Sequence, residues 1–268
     1  MIKLGSITDG RLPAVLSIAG CDPSGGAGIE ADLKTITAYG MYGMAAVTAL
    51  TVQNTLGVSE VSPVPSELVG RQIEAVISDI TPDAVKIGML GGAQTSRAVA
   101  DILRKIKIPT VCDPVLTSTS GAALTDKNIA LFELMSLCTL VTPNIPEAEI
   151  LCGAEIRDIG DMRKCAEHLS YMLGGASVLI KGGHADGGAD DVLISGVECT
   201  IYSSQRSSNP NTHGTGCTLS SAIACGLARG DSVADAVRCA KVYVTGAIAS
   251  GLKLGVGRGP LDHMWQFR

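Results

Sequence analysis

The sequence predicts an α/β protein whose mostly parallel central sheet is covered by helices on both faces. Short apolar runs alternate with amphipathic segments along the 268 residues, as in strand–helix–strand crossovers. Hydrophobic residues make up 46% of the chain and aromatic residues only 3%, so the core must consist mainly of Ala, Val, Ile and Leu. That composition favours buried parallel strands. There is no linker-like change in composition and no internal repeat, so we expect one domain over residues 1–268.

The individual elements follow from hydrophobic spacing. Apolar runs bounded by turn residues predict buried strands, and apolar residues three or four apart predict helices. The predicted strands are Ala14–Ala19, Ala45–Val52, Ala84–Ile87, Thr110–Cys112, Leu140–Thr142 and Val178–Lys181. The predicted helices are Ile29–Tyr39, Glu67–Asp79, Thr95–Lys105, Lys127–Met135, Asp161–Leu173, Thr218–Ala228 and Val233–Ala249. Val192–Ile194 and Thr200–Tyr202 predict a hairpin, and Val58–Val64 predicts either a small flap or a plain extra strand.

Charge and cysteine usage exclude several classes of function. The net charge is −5 and there is no block of Lys or Arg, so the sequence has no electrostatic footprint for nucleic acid. Nine cysteines without a C-x-x-C pair and without a secretory start predict reduced thiols in the cytoplasm, and make a zinc site improbable. No apolar stretch is long enough to span a membrane. We therefore expect a small-molecule substrate.

The most informative motif is the glycine-rich run Asn211–Thr218, which leads into an apolar helical segment. The first N–H groups of a helix have no internal partner, and the helix dipole adds to their positive character. Such a turn suits a phosphate group whose charge grows during transfer. Cys217 stands in the first helical turn, where a thiol pKa is usually lowered. A glycine-rich loop that only caps a helix is the alternative.

Further candidate residues follow the predicted strands, at the edge where parallel sheets bind ligands. The loop after Gly20 lacks the Gly-Lys-Ser/Thr of a Walker-type phosphate loop, so a phosphate-binding role fits it poorly. Gly20 has no side chain and permits close approach of a flat ligand instead. Asp32 is either a contact to a polar edge of that ligand or a solvated helix charge. The side-chain amide of Gln53 both donates and accepts hydrogen bonds, so it can pair with the edge of a nitrogen heterocycle. The alternative is a partly exposed Gln without a ligand. Met89 suits either a ring face or the core.

Acidic side chains after two other strands predict a cation site at the same edge. Asn144 with Glu147 has the pattern of a capping box, and an Asn and a carboxylate in this place also suit hydrated Mg²⁺. Asp113 offers a second carboxylate. Lys181 ends a further strand, where it is either a contact for nucleotide phosphate or a surface lysine before a turn.

Taken together, these segments resemble the ribokinase superfamily, and within it the hydroxymethylpyrimidine/phosphomethylpyrimidine kinases of thiamine biosynthesis. The resemblance covers nearly the whole chain, and its first and last segments are the most specific. The matching segments are Ala19–Thr35, Val52–Thr55, Lys86–Leu90, Asp113–Val115, Thr142–Glu147, Lys181–His184 and Asn211–Thr218. The resemblance implies a ribokinase-like three-layer α/β/α domain with at most a small β flap.

The resemblance also implies an activity, namely phosphorylation of 4-amino-5-hydroxymethyl-2-methylpyrimidine and then of its monophosphate, with ATP as co-substrate and Mg²⁺. Residues that match the family's pyrimidine site are Gly20, Asp32, Gln53, Met89, Val115 and Cys217. The anion hole matches Gly214, Thr215 and Gly216, beside Cys217 as the catalytic base. ATP binding is assigned to Lys181 and Thr212, and the metal to Asn144, Glu147 and Asp113. A homodimer is common among such kinases, and the sequence leaves the oligomeric state open.

Two departures from the family pattern leave alternatives open. Most of the superfamily has an Asp where Cys217 stands, and the Cys is shared with some pyridoxal kinases, so pyridoxal or pyridoxine phosphorylation stays an alternative activity. Thr119 stands where some relatives carry a Lys, which weakens any inference about how the substrate monophosphate is held. A non-catalytic pyrimidine-binding regulator on the same fold is the alternative from another class; the intact base position, anion hole and Asn-x-x-Glu element argue against it.

Overall fold

A computed structural model of the chain describes residues 10–116, 129–182, 190–203, 209–250 and 252–268. The strands are β1 (Ala14–Ala19), β2 (Tyr42–Val47), β3 (Ala49–Asn54), β4 (Gly57–Pro63), β5 (Ala84–Ile87), β6 (Thr110–Cys112), β7 (Leu140–Val141), β8 (Ser177–Ile180), β9 (Asp191–Ser195) and β10 (Glu198–Tyr202). The helices are α1 (Gly28–Ala38), α2 (Ser66–Ile77), α3 (Ala93–Leu103), α4 (Ile129–Met135), α5 (Ile145–Cys152), α6 (Ile159–Met172), α7 (Thr215–Ala228) and α8 (Val233–Ser250), followed by a short 3₁₀ turn at Trp265–Phe267.

The central sheet has the order β10-β9-β8-β7-β6-β5-β1-β2. The strands from β2 to β8 in this order run parallel, whereas β9 and β10 form an antiparallel hairpin at one edge. The predicted fold class, a mostly parallel sheet within an α/β protein, is therefore confirmed. Because the carboxyl ends of the parallel strands meet at one edge of the sheet, the loops that follow β1, β6, β7 and β8 gather there.

Helices cover both faces of the sheet and form two separate hydrophobic cores. Along β1, Leu16 and Ile18 pack into the core beneath α2 to α6, whereas Val15 packs into the core beneath α1, α7 and α8. This alternation follows from the two-residue period of a strand, which sends successive side chains to opposite faces. Small residues permit close helix packing on the second face, where a Cβ on Gly226 of α7 would press against Ala236 of α8. The scarcity of aromatic residues thus reflects close contacts between small side chains.

One predicted strand is wrong in an informative way. We expected Ala45–Val52 to be a single strand, but the chain leaves the central sheet at Thr48 and continues in a separate two-stranded sheet of β3 and β4. The buried Thr48 makes this corner: its N–H donates to Ala19, and its hydroxyl donates to the carbonyl of Met89. Hydrophobic spacing continues through the corner, so it could not reveal the change of sheet. Of the two alternatives for Val58–Val64, the small flap is correct.

The prediction that all nine cysteines are free thiols is wrong for one pair. Cys152, at the end of α5, and Cys165, within α6, form a disulfide with their Cα atoms 6.3 Å apart. The two helices pack side by side, which spacing along the sequence did not reveal. The other seven cysteines are free. Among the described residues, no helix has the length and apolar character needed to cross a bilayer.

Candidate active site

Two glycine-rich loops pack against each other at the carboxyl edge of the sheet. Gly214, the N-cap of α7, has a φ of +82°, and a Cβ there would overlap the carbonyl of Gly26 in the loop after β1. Gly28 at the start of α1 has a φ of +58°, and a Cβ there would overlap the carbonyl of Gly20. Only glycine permits both the left-handed backbone and this close approach. The first and last motifs of the sequence therefore form one site.

The N-terminus of α7 carries the predicted anion hole. Thr215, Gly216 and Cys217 are its first three residues, and helix geometry leaves the N–H groups of Gly216 and Cys217 without intrahelical acceptors. The side chain of Thr215 is fixed by a hydrogen bond, since its hydroxyl donates to the carbonyl of Thr212 over 2.8 Å. A Cβ on Gly216 would lie 3.1 Å from Oδ2 of Asp113, so the bare backbone of the loop faces that carboxylate.

Cys217 lies between the two loops, but its thiol is not activated in the way that the sequence predicted. Burial raises its pKa to about 11, the positive charge of Lys86 opposes that rise, and the carboxylates of Asp32 and Asp113 add to it. A hydrogen bond from the backbone N–H of Gly28 also favours the thiolate, but not enough. The expected lowering of the pKa is therefore wrong: desolvation outweighs the helix dipole.

Three charged side chains from the ends of neighbouring strands meet beside Gly216. Lys181, after β8, donates to Oδ1 of Asp113, after β6, over 2.6 Å, and Thr142 donates to the same oxygen over 3.2 Å. Burial lowers the pKa of Lys181, but Asp113 and Glu147 outweigh it and raise the pKa above its ordinary value. The parallel strands bring these three residues together, although 68 positions separate Asp113 from Lys181.

The Asn144–Glu147 element is a genuine capping box. Oδ1 of Asn144 accepts from the N–H of Glu147, and the N–H of Asn144 donates back to Oε2 of Glu147, both over 2.9 Å. Glu147 is nonetheless close to the charged groups of the site. Burial raises its pKa to about 7, Lys181 opposes this rise, and Asp113 adds to it. One oxygen of the Glu147 carboxylate thus completes the capping box, and the charge of the carboxylate interacts with Lys181 and Asp113 of the candidate site.

The other side of the site contains the residues expected to read a flat ligand. A Cβ on Gly20 would lie 2.5 Å from Cε of Met89, so this glycine and methionine are in contact. Val115 is partly exposed just after β6. Gln53, in the flap strand β3, reaches back to the Asn211–Thr218 loop, with its Nε2 3.3 Å from Nε2 of His213. The flap therefore brings Gln53 to the site.

Asp32 differs most from its expected position. It is fully buried, and its two carboxylate oxygens accept from Nζ of Lys86 over 2.9 and 2.7 Å, from Ser17 over 2.6 Å and from Ser221 over 2.8 Å. Burial alone lowers the pKa of Lys86, but the pair with Asp32 raises it above its ordinary value. Asp32 thus lies beneath the site with its acceptor positions filled, and a direct contact to a ligand stays a prediction.

Sequence reasoning missed three residues of this region. Lys86 interrupts an otherwise apolar buried strand, and a buried lysine requires a counter-charge. The sequence thus contained a signal that Lys86 has a buried acidic partner, which is Asp32. Asp22 and His213 are also buried and lie 2.7 Å apart, although 191 positions separate them in the chain. Nothing in the sequence pattern joins that pair.

Some predicted site residues remain unassigned by geometry. Thr212 lies in the loop before α7, where its carbonyl accepts from Thr215, and its role in ATP binding stays a prediction. Thr119, and Gly183 and His184 of the run after β8, lie outside the described residues.

Comparison with known proteins gives a consistent result. A family model described as phosphomethylpyrimidine kinase matches residues 22–262. The chain is 46% identical over 256 residues to a hydroxymethylpyrimidine/phosphomethylpyrimidine kinase of Streptomyces coelicolor, covering 94% of this chain and 95% of that protein. A crystal structure of phosphomethylpyrimidine kinase from Clostridium difficile is similar with a TM-score of 0.76 and 42% identity, covering 88% of this chain and 99% of the other.

A pyridoxal kinase is also similar. The structure of this kinase from Staphylococcus aureus in complex with AMP-PCP and pyridoxal has a TM-score of 0.85 and 34% identity, covering 96% of this chain and 95% of the other. The TM-score is thus higher to this pyridoxal kinase, whereas the sequence identity is higher to the two pyrimidine kinases.

Proposed function

The chain belongs to the phosphomethylpyrimidine kinase family, and we propose that it phosphorylates 4-amino-5-hydroxymethyl-2-methylpyrimidine and then the resulting monophosphate in thiamine biosynthesis, with ATP as phosphoryl donor. One observation carries the proposal. The N-terminus of α7 lies between the loop after β1, where we place the flat ligand, and the charged cluster of Asp113, Lys181 and Glu147. An acceptor alcohol and a triphosphate can therefore approach the same amides from opposite sides.

The amides at the start of α7 supply the main catalytic contribution. Phosphoryl transfer asks for little covalent chemistry from a protein, so positioning and charge stabilisation dominate. The N–H groups of Gly214, Gly216 and Cys217 form the proposed anion hole for the transferring group, together with that of Thr215, which also donates to the carbonyl of Thr212 over 3.3 Å. Glycine at position 216 suits this arrangement, because a Cβ there would lie only 3.1 Å from Oδ2 of Asp113.

The acceptor side binds the pyrimidine. Gly20 and Met89 are in contact and line a face on which a ring packs, with Val115 at the rim. The amide of Gln53 pairs with a ring nitrogen and the adjacent exocyclic amine. Cys217 takes the proton of the hydroxymethyl group. Because its pKa is about 11 without ligands, only a small fraction of the thiol is ionised at neutral pH, and the base acts through that fraction.

The donor side fits a hydrated magnesium ion bound to the phosphates of ATP. Mg²⁺ keeps several waters and needs one or two carboxylates in addition to phosphate oxygens. Asp113 and Glu147 supply that donor set, with Asn144 fixing Glu147 through the capping box. When bound, the ion would offset the charge on the phosphates. Lys181, already part of this cluster, and Thr212 are the proposed contacts to ATP itself.

The similarity to pyridoxal kinases keeps one alternative activity in view. The Staphylococcus aureus enzyme shares the fold with a TM-score of 0.85, and its structure contains pyridoxal. We rank pyridoxal below the pyrimidine because sequence identity is higher to the pyrimidine kinases, 46% against 34%. We further propose that residues 1–268 act as one domain and that the enzyme is a homodimer.

Product analysis tests the proposal. The protein is incubated with ATP, Mg²⁺ and, separately, the pyrimidine alcohol, its monophosphate or pyridoxal, and phosphorylated products are identified by mass spectrometry. We expect conversion of the alcohol to the monophosphate and then to the diphosphate, with higher kcat/KM than for pyridoxal. Faster turnover of pyridoxal than of the pyrimidine would reverse the ranking. Absence of any product from all three would favour a non-catalytic binding protein.

A further inference from the structure

A buried hydrogen-bond chain connects Gln53 to a carboxylate that the proposed reaction does not use. Nε2 of His213 lies 2.7 Å from Oδ2 of Asp22 and 3.3 Å from Nε2 of Gln53. Asp22 and His213 are almost fully buried, and the histidine ring packs against the bare backbone of Gly26. The chain therefore joins the loop after β1, the loop before α7 and the flap at one point.

The charge state of Asp22 determines where the imidazole proton lies. Its carboxylate accepts from the N–H and hydroxyl of Ser24 and from the N–H groups of Gly26 and Ala27. Burial acts to raise the pKa of Asp22, but these hydrogen bonds and the one from His213 outweigh it and hold the pKa well below its ordinary value. An ionised carboxylate is only an acceptor, so Nε2 of His213 carries a hydrogen in either charge state of the ring.

This proton fixes the orientation of the Gln53 amide. The one hydrogen on Nε2 points mainly to Asp22, so Nε2 offers the amide nitrogen of Gln53 no acceptor at 3.3 Å. The amide oxygen is the better neighbour, because it accepts the weaker share of that hydrogen. The other neighbour agrees. Oγ1 of Thr51 lies 2.9 Å from the carbonyl of Cys21 and 3.2 Å from Oε1 of Gln53. Its single hydrogen goes to the shorter contact, which leaves an acceptor facing the amide oxygen, and turning the amide over places its NH₂ there as the donor. Both neighbours thus require the Gln53 oxygen toward His213 and its NH₂ toward Thr51.

We propose that the Asp22–His213 pair and Thr51 act as positioning residues that lock the Gln53 amide and thereby select a pyrimidine with an exocyclic amino group over its oxo analogue. The selection rests on the proposed function of Gln53 as the contact to the pyrimidine edge. An amino-pyrimidine presents a ring acceptor beside an amine donor, whereas a pyrimidinone presents a ring N–H beside a carbonyl. A freely rotating amide accommodates both by turning over, but a locked amide accommodates only one.

The test is the selectivity between two alcohols, 4-amino-5-hydroxymethyl-2-methylpyrimidine and the corresponding 4-oxo compound, measured as the ratio of their kcat/KM values. His213→Phe keeps a ring against Gly26 but removes the N–H, and Thr51→Val removes the acceptor for the amide. We expect each variant to reduce the ratio by about tenfold or more, since unpaired buried polar groups are costly. The loss appears in KM for the pyrimidine, and KM for ATP stays within about twofold.

Three further variants make the outcome decisive. His213→Gln keeps a donor near the position of Nε2 and is expected to restore selectivity. Ser59→Ala is the matched control, because this hydroxyl donates to Val52 in the same hairpin and does not touch Gln53; its ratio should equal that of the wild type. In a Gln53→Leu background, His213→Phe is expected to have no further effect on the ratio.

The results separate two failures. If Gln53→Leu lowers the ratio while His213→Phe and Thr51→Val leave it unchanged, the locking of the amide is overturned and the role of Gln53 stands. If Gln53→Leu itself changes nothing, Gln53 does not contact the pyrimidine and the proposed site is wrong at this residue. A thermal melt checks folding of His213→Phe, and if that variant is unfolded, the partly exposed Thr51→Val decides.

Discussion

Two lysine–carboxylate pairs lie close enough to Cys217 to act on its charge, and they differ in burial and in how fully their hydrogen bonds are satisfied. Lys86 and Asp32 are both completely buried at 2.7 Å, and each oxygen of Asp32 accepts two hydrogen bonds. Lys181 and Asp113 are 2.6 Å apart, but the lysine keeps 15% of its side chain exposed and Oδ2 of Asp113 faces the bare backbone of Gly216. The first pair is complete within the protein, whereas the second is partly exposed and is the pair that we propose to bind a ligand.

The comparison suggests a criterion for telling a structural ion pair from one that can bind a ligand. The criterion is whether the carboxylate oxygens already accept all the hydrogen bonds they can, and it matters more than the charge of the pair. A buried ion pair is tolerated when its remaining donors and acceptors are satisfied, and removing one partner then leaves an uncompensated charge. A pair at the open edge of the sheet can exchange one partner for a phosphate or a cation. We therefore expect the first pair to control stability and the second to control rate.

The largest expected effect comes from breaking the buried pair. Asp32→Asn leaves the ammonium of Lys86 buried without a counter-charge, so the free energy of unfolding should fall by about 3–5 kcal/mol. Urea denaturation followed by circular dichroism measures the change. Glu155→Gln, which breaks the exposed pair with Arg157, is the control and should leave the denaturation midpoint unchanged. Equal midpoints for Asp32→Asn and the wild type would show that the buried pair adds nothing to stability.

Breaking the Lys181–Asp113 pair should cost less stability than breaking the Lys86–Asp32 pair and should reduce the rate. Asp113→Asn removes a charge at the donor side, so we expect kcat to fall by roughly 10²–10³. The free energy of unfolding should change far less than for Asp32→Asn, because Lys181 reaches solvent. Steady-state kinetics and urea denaturation on the same preparation provide both values. The distinction between the pairs fails if Asp113→Asn is as unstable as Asp32→Asn and keeps its activity.

A smaller expected effect concerns the pH at which the thiol of Cys217 ionises, which depends on the charges of both pairs. The raised pKa of about 11 means that the thiol is protonated at neutral pH and ionises as the pH rises. Alkylation of Cys217 by iodoacetamide, followed by peptide mass spectrometry, should therefore accelerate by about tenfold per pH unit between pH 7 and 9. In Asp113→Asn the profile should shift to lower pH, since the Asp113 charge contributes to the raised pKa. A rate already constant at pH 7 would show a thiolate instead.

The sequence predicted the architecture better than the chemistry. Strand–helix alternation depends on local spacing, so β1, β5 and β6 were predicted with their observed bounds. The corner at Thr48 escaped because its cause is a hydrogen bond to Met89, a residue 41 positions away. The two loops of the candidate site were predicted from their glycine-rich motifs, because only glycine fits where the backbones of the loops come so close together.

The electrostatics of the site depend on three-dimensional neighbours and could not be predicted in the same way. Helix position predicted a lowered pKa for Cys217, but burial and the carboxylates of Asp32 and Asp113 reverse its direction. The pattern of Asn144 and Glu147 predicted the capping box correctly, because both partners lie within one helical turn. Contacts within a turn are readable from sequence, and contacts between distant loops are not.

The role of Cys217 between the two pairs is tested most directly by kcat of the Cys217→Ser variant, with folding confirmed by its thermal melt. General-base catalysis contributes about 10²–10⁴-fold, so kcat should fall on that scale. The pyrimidine and ATP should still bind, since a hydroxyl is nearly isosteric and the backbone amides of the proposed anion hole remain. Cys217→Asp is the companion variant and is expected to retain activity. A well-folded Cys217→Ser enzyme that turns over at the wild-type rate would contradict the assignment and reduce Cys217 to a packing residue.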